Sequence, residues 1–573
     1  MSEQQLQAVN TAEALLELLS LRGVPYFIAG GAGTDFPFII EAFAKAKADG
    51  LTVPEPITAV HEITAVAMAH GYAMVSGQPL VTMLHTIVGL ANGIGGVINA
   101  SRARVPLFLI AGKTATAETA HPSARFHVVQ WAQEAFDQAG MLREFVKWDY
   151  ELRHPAQLEA TIDRGLAISQ AAPTGPVYLT LPVEVSGKKL EKFSVSSQSR
   201  INIPVSSIPV SEKLQKAVDL LVGAEKPLII TGSMGRKPTA VKSLLQLAEK
   251  LAIPVVEYFH THLNFPQDHP LHIGYEVDPF LGEADVILVI EHDAPWTPVT
   301  KRPRDDAKVI VLDEDPLYLS YPHRGFPADI SLEGDSVHSL DAMCSMIDAR
   351  YKEPDKYEAR RKEIEKLHRQ QRDGWKNKAR ENAQNSPVNT TWLSNCIAEV
   401  INPEEDIVIT EFVLDPQQLQ MTRPGSYFDH SHAGGLGWSA GAALGARLAE
   451  PERTVICCVG EGTWTFGVPV ATHHMSAMHN LPVLFVIFNN AAYERTRLGA
   501  RRVSKHGNVS KSGNVPLCDL APTPEYDKIC EAAGGYGERV DDPAELPAAL
   551  DRALKIVREE GRQALLNVIC EKS

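Results

Sequence analysis

An apolar run, TVICCVG, closes on the turn GEGTW at Gly460–Trp464, and a second, LPVLFVIF, closes on Asn489 and Asn490. A glycine-rich turn after a strand exposes backbone N–H groups at a helix start, which makes a site for a diphosphate-like anion. The carboxylate of Glu461 and the side-chain oxygen of Asn490 are hard oxygen ligands. They suit Mg²⁺ bridging to phosphate oxygens. Both stand at the carboxyl ends of strands, where open α/β sheets bind ligands. Just beyond them Glu494 could act as a general acid or base, or simply be an acid at a helix start.

The elements that must position these residues are short strands alternating with helices. PLVTML, VPLFLIAG, PVYLTLP, KPLIITG, DVILVIE, AKVIVLDED, TVICCVG, LPVLFVIFNN and ALLNVIC are rich in Val, Ile and Leu. Such runs suit parallel sheets covered on both faces. The fold class is therefore α/β, with doubly wound parallel-sheet domains. A Ser-, Val- and Pro-rich stretch at 190–211 and a stretch rich in Lys, Arg, Glu and Gln at 351–390 suggest linkers, the second as a solvated helix. They divide the chain into three domains at about 1–190, 205–350 and 370–573.

The 573 residues, 44% of them apolar and 22% charged, describe a globular protein of several domains. A net charge of −15 argues against a nucleic-acid partner. The seven cysteines form no CxxC pair, so structural thiols in a reducing compartment are expected. The N-terminus reads as an amphipathic helix and no run reaches a membrane span, so cytoplasmic residence is expected, without a membrane partner. His260, His262, His269 and His272 cluster in FHTHLNFPQDHPLHIG, but an irregular loop without a cysteine is a poor zinc site.

GEG followed at an interval by NN resembles the thiamin diphosphate motif. The resemblance is to the enzyme group of acetohydroxyacid synthase, benzoylformate decarboxylase and pyruvate oxidase. It covers nearly the whole chain in the order pyrimidine-binding, middle and diphosphate-binding domain. It implies thiamin diphosphate and Mg²⁺ as cofactors. The ligands would be Glu461, Asn490 and the carbonyl of Ala492, with Gly460, Gly462, Thr463 and Tyr493 around the diphosphate. Glu461 stands where the family usually has Asp and reaches one methylene further, and the interval to Asn490 is longer than in the commonest members.

Four further segments carry the resemblance. Glu62, in VHEITAVAMAHGYA, matches the carboxylate that hydrogen-bonds the cofactor's pyrimidine ring and so activates it. His85, in MLHTIVGLANGIGGVINA, sits where benzoylformate decarboxylase-like enzymes place an active-site histidine, which can shuttle protons near neutral pH. In SHAGGLGWSAGAALGARLA, Leu436 matches the bulky residue that bends the cofactor. The Gly434 carbonyl and the Leu436 N–H would bind its pyrimidine. The alternative for this segment is a Gly/Ala helix-packing seam. The loop IAGGAGTDF resembles the turn that lines the substrate pocket, with Thr34 where similar enzymes have serine. Gln133 and His269 match further pocket residues.

The resemblance implies a lyase or carboligase acting beside the carbonyl of a 2-oxo acid or a 2-hydroxy carbonyl compound. Acetolactate synthase-like ligation and benzoylformate-type decarboxylation are the leading versions, and a 2-hydroxyacyl-CoA lyase is an alternative. A flavin-linked oxidase and a non-catalytic cofactor-binding homologue are readings of another class. FAD binds the middle domain of some relatives, and the turn GSMGRKP could cradle its phosphate, but the arginine-and-aspartate run that contacts flavin is not evident. Arg495, Arg497, Arg501, Arg502, Lys505 and Lys511 lie in a glycine- and serine-containing stretch that reads as a loop. It suggests a lid or funnel for a small anionic carbonyl substrate or an acyl-CoA. In similar proteins the site lies between two subunits, which implies a homodimer at minimum and commonly a homotetramer.

Overall fold

The computed structural model describes residues 3–350, 354–513 and 515–572. Three parallel sheets hold nearly all the strands, and all nine apolar runs quoted above are among them. The first sheet contains Tyr26–Gly30, Glu55–Ala59, Val81–Leu84, Phe108–Lys113, Asp149–Glu151 and Val177–Pro182. The third contains Ile407–Glu411, Tyr427–Asp429, Val455–Gly460, Leu484–Asn489, Tyr536–Val540 and Ala564–Ile569. Numbered by position in the chain, the strands of both run second, first, third, fourth, sixth, fifth across the sheet. The middle sheet, Pro227–Thr231 to Ile330–Glu333, begins in the same way: second, first, third.

This shared order has one consequence for function. The chain reverses its direction of winding between the first and third strands, and a crevice opens there at their carboxyl ends. In the first sheet that crevice receives the loop after Gly30 and His85. In the third it receives Glu411 and Glu461. The central strands are buried along nearly their whole length, since helices cover both faces.

Two helices join the first domain to the third. Glu62–Ser76 packs along Trp438–Ala449 so closely that a Cβ on Gly71 would collide with the backbone of Ala442. His70 lies edge-on to Trp438, with ring centroids 5.4 Å apart. SHAGGLGWSAGAALGARLA is thus divided. Residues 431–437 form a loop, and the Gly/Ala half from Trp438 onward is a helix-packing seam.

The helix Glu358–Glu381 lies in the charged stretch, but it is not wholly solvated. It buries Ile364, His368, Arg372 and Ala379. His368 Nδ1 donates to the His272 carbonyl at 2.7 Å and Arg372 Nη1 to the Leu419 carbonyl at 2.9 Å, which ties this helix to the middle and third domains. No helix among the described residues is long and apolar enough to cross a membrane.

Candidate active site

The crevice of the first sheet brings together Glu62, His85 and Gln133. Glu62 is the first residue of its helix, where His61 caps the start by accepting from the Ile63 N–H at 3.2 Å. The Glu62 side chain is 12% exposed, and its Oε2 accepts from Asn92 Nδ2 at 3.1 Å. Its Oε1 lies where a Cβ on Gly31 would stand 2.6 Å away, so the loop after the first strand presses directly against the carboxylate.

His85 follows the strand Val81–Leu84 and immediately precedes the helix Thr86–Arg102, whose start its side chain does not cap. Its Nδ1 meets Asp35 Oδ1 in a short hydrogen bond, and its Nε2 is 3.1 Å from Gln133 Nε2. The pocket loop therefore touches His85 through Asp35. Thr34, half-buried, stands one residue before that contact.

The crevice of the third sheet holds the candidate oxygen ligands. Glu461 opens the helix Glu461–Phe466 with its side chain buried. Its Oε1 accepts from the Ala492 N–H at 2.8 Å and its Oε2 from the Asn490 N–H at 3.4 Å, while Asn490 Oδ1 accepts from the same Ala492 N–H at 3.0 Å. Ala491 takes φ 54°, so the loop folds over the end of the longer Glu side chain. Burial pushes the Glu461 carboxyl above its usual range, and the N–H groups of Ala492 and Asn490 pull it back. A carboxylate at the end of one strand, and an amide oxygen and the Ala492 carbonyl at the end of its neighbour, have the donor chemistry of a Mg²⁺ site that leaves positions for phosphate oxygens. Tyr493 lies over the turn, with its ring 2.8 Å from where a Gly462 Cβ would stand, and Gly460 and Thr463 flank it.

Among the described residues, neither the Gly434 carbonyl nor the Leu436 N–H has a hydrogen-bond partner. The loop carrying them is held from three sides. Asn99 bonds to Gly435, His432 bonds to Asp293 of the middle domain, and Glu411 accepts from the N–H groups of Gly437 and Ser439 at 3.0 and 2.9 Å. Leu436 is 36% exposed.

His269 is not brought to these residues. It packs edge-on against Phe265, and its Nε2 is 3.5 Å from Glu249 in the middle domain. The stretch after Glu494, read above as a loop, contains two helices, Glu494–Val503 and Asn508–Ser512. Both carboxylate oxygens of Glu494 are buried without a hydrogen-bond partner, and Arg497 Nη1 stands 3.7 Å from one of them. In the middle domain the GSMGR turn meets buried carboxylates. Arg236 pairs with Glu291 at 2.5 Å and Arg104 of the first domain with Asp313 at 2.6 Å, and the cleft lined by Arg236, Glu291 and Arg104 has about 30 Å³ of free space, enough for a water molecule.

Sequence reasoning missed Asp35, Asn92, Asn99, Glu411 and the His432–Asp293 pair. Asn92 and Asn99 carried a signal, because a seven-residue spacing places both on one helix face. Asp293 carried none, since it comes from another domain.

Comparison with known proteins identifies the family. Residues 9–141 match the thiamine pyrophosphate enzyme N-terminal TPP binding domain, 214–343 the central domain and 412–568 the C-terminal TPP binding domain. The chain is 24% identical over 516 residues to the acetolactate synthase isozyme 3 large subunit of Escherichia coli, covering 87% of this chain and 85% of that one. It is 24% identical over 592 residues to an acetolactate synthase large subunit of Buchnera aphidicola, covering 99% and 96%. Among solved structures, a thiamine diphosphate-dependent 4-hydroxybenzoylformate decarboxylase of Rhodococcus jostii superposes with TM-score 0.78 at 20% identity, covering 98% of this chain and 99% of that one. The benzoylformate decarboxylase of Polynucleobacter necessarius gives 0.78 at 21%, with the same coverage. This chain belongs to the thiamine pyrophosphate enzymes, which hold thiamin diphosphate together with a divalent cation.

Proposed function

We propose that this enzyme decarboxylates a small 2-oxo acid and can pass the remaining acyl unit to a second carbonyl compound. The observation that carries this reading is His85, set in the same crevice as Glu62 and flanked by Asp35 and Gln133. When bound, thiamin diphosphate supplies an electron sink for the C–C bond next to the carbonyl. The protein does the rest. Glu62 would hold a proton at the pyrimidine ring, and the Gly434 carbonyl and Leu436 N–H would orient that ring. The Leu436 side chain would pack against the cofactor, and Glu461, Asn490 and the Ala492 carbonyl would hold the cation. His85 takes or returns a proton at the substrate. The acetolactate synthases and benzoylformate decarboxylases similar to this chain support the two arms of the proposal.

Two copies would complete the site. Within one chain the helix Thr86–Arg102 holds Glu62 through Asn92 and Gly435 through Asn99, and seven residues of helix separate these attachments by about 10 Å. A second copy facing the exposed Leu436 and Val88 would supply the missing half. We place the assembly in the reducing cytoplasm, in keeping with seven buried free thiols.

A second reading is a 2-hydroxyacyl-CoA lyase, favoured by Arg495, Arg497, Arg501 and Arg502 on the helix that starts at Glu494. The test is calorimetric titration with thiamin diphosphate and Mg²⁺, followed by turnover of pyruvate, benzoylformate and a 2-hydroxyacyl-CoA. Release of CO₂ from an oxo acid supports the first reading. Aldehyde and formyl-CoA from the thioester would replace it with the second. If the oxo acid is the substrate, Arg501→Ala with Arg502→Ala should raise KM without altering cofactor binding.

A further inference from the structure

Loop, strand end and pocket segment place Asp35, His85 and Gln133 in one hydrogen-bonded line. We infer that Asp35 is the positioning residue of His85, fixing the tautomer in which Nε2 is unprotonated and carries the electron pair that meets Gln133 and that a substrate hydroxyl would take over. This deepens the reading of His85 as the acid/base group and rests on it.

The hydrogen-bond inventory sets the tautomer. An ionised carboxylate only accepts, so the proton between Asp35 Oδ1 and His85 belongs to Nδ1. The Gln133 Nε2 only donates, so His85 Nε2 presents its electron pair toward it at 3.1 Å. Gln133 Oε1 is buried and has no hydrogen-bond partner, which leaves the amide able to accept from a hydroxyl beside the same nitrogen.

The surroundings are shaped for this pair. The Asp35 side chain has no exposure, and its second oxygen accepts from the Thr86 N–H at 3.4 Å. Burying a carboxylate so completely is costly unless it has a partner that can carry positive charge, and His85 is that partner. A Cβ on Gly33 would collide with the imidazole, and one on Gly112 with the Asp35 carboxylate. Thr86, next to His85, takes φ 41°, a left-handed conformation unfavourable for a β-branched residue and retained where the surroundings over-determine it.

The proton step balances within the dyad. A substrate O–H bond breaks, an Nε2–H bond forms, and the oxygen keeps the electron pair. The Asp35 carboxylate balances the imidazolium charge, and the reverse transfer returns the proton to the product. Without that carboxylate the imidazolium loses its neighbouring negative charge and is less stable.

The test compares wild type, Asp35→Asn, His85→Gln and the double variant, each loaded with thiamin diphosphate and Mg²⁺. Asp35→Asn is expected to lower kcat by about 10²–10⁴-fold with KM and cofactor affinity nearly unchanged. The acidic limb of its kcat profile should move to lower pH, and the double variant should be no slower than His85→Gln alone. A far-downfield proton resonance of the Asp–His bond should be present in the wild type and absent from both single variants, whatever the substrate. A wild type that shows this resonance but turns over none of the carbonyl compounds would sink the proposed function and leave the dyad standing. No such resonance in the wild type, its survival in Asp35→Asn, or a kcat and pH limb unchanged by Asp35→Asn would overturn the inference.

Discussion

Asn99 and Gly435 exchange two hydrogen bonds, Nδ2 donating to the Gly435 carbonyl at 2.7 Å and the Gly435 N–H donating to Oδ1 at 3.0 Å. One side chain of the first domain thereby fixes the backbone between Gly434 and Leu436 in the third. Asn99→Ala leaves that peptide pair without its partners, at about 1–3 kcal/mol. It should lower the unfolding midpoint and weaken thiamin diphosphate binding. Calorimetric titration showing unchanged affinity would mean that the loop does not depend on Asn99.

Glu62→Gln keeps a hydrogen-bond acceptor for Asn92 but loses the charge. Turnover should fall about 10²–10⁴-fold, while thiamin diphosphate still binds. Steady-state rates alongside cofactor titration separate these two effects.

Glu461 reaches its two N–H partners because the 490–492 loop is shaped around the longer side chain. Chelation should abolish activity and added Mg²⁺ should restore it. Glu461→Ala should raise the Mg²⁺ concentration needed for half-activity by at least about 10–100-fold. Glu461→Asp should also weaken the site here, because the shorter carboxylate falls short of Ala492. Full Mg²⁺ affinity in the Asp variant would show that the loop adapts freely.

His432 sits between acceptors on both ring nitrogens, with Asp293 at 2.8 Å from Nδ1 and the Phe259 carbonyl at 2.7 Å from Nε2. Burial works against its charge, but Asp293 and the Phe259 carbonyl outweigh it and raise the imidazole to about 8. Asp429 adds to this, and His292 shares the Asp293 carboxylate. Protonation thus favours the folded state. Its contribution is complete below the ordinary histidine value of about 6.5 and is lost as pH rises through about 8. Unfolding midpoints from pH 6 to 9.5 should decline less steeply in His432→Gln than in the wild type.

Gly71 meets the Ala442 backbone with no room for a side chain. Gly71→Ala should cost about 1–3 kcal/mol by forcing the two helices apart, visible as a lower unfolding midpoint. An unchanged midpoint would show that this contact between the first and third domains relaxes without loss.

The sequence by itself determined the architecture and the chemical types at the site. Nine Val-, Ile- and Leu-rich runs suited strands covered on both faces and are such strands, and the turn after Val459 with the asparagines after Phe488 marked a candidate anion-and-cation site. These signals are local in the chain, so period and spacing carry them. The helix at Glu494–Val503 was hidden because the glycines and serines of the stretch read as a loop, whereas in the structure it starts from the Tyr493 turn that covers Gly462. The partners were not legible either. Asp35 on His85, Asn99 on Gly435 and Asp293 on His432 pair residues separated by 50, 336 and 139 positions. Only the stacking of strand ends and the closure of three domains on one another brings such groups within hydrogen-bond range. The tertiary structure therefore decided which carboxylate meets His85 and which side chain holds the loop from Gly434 to Leu436.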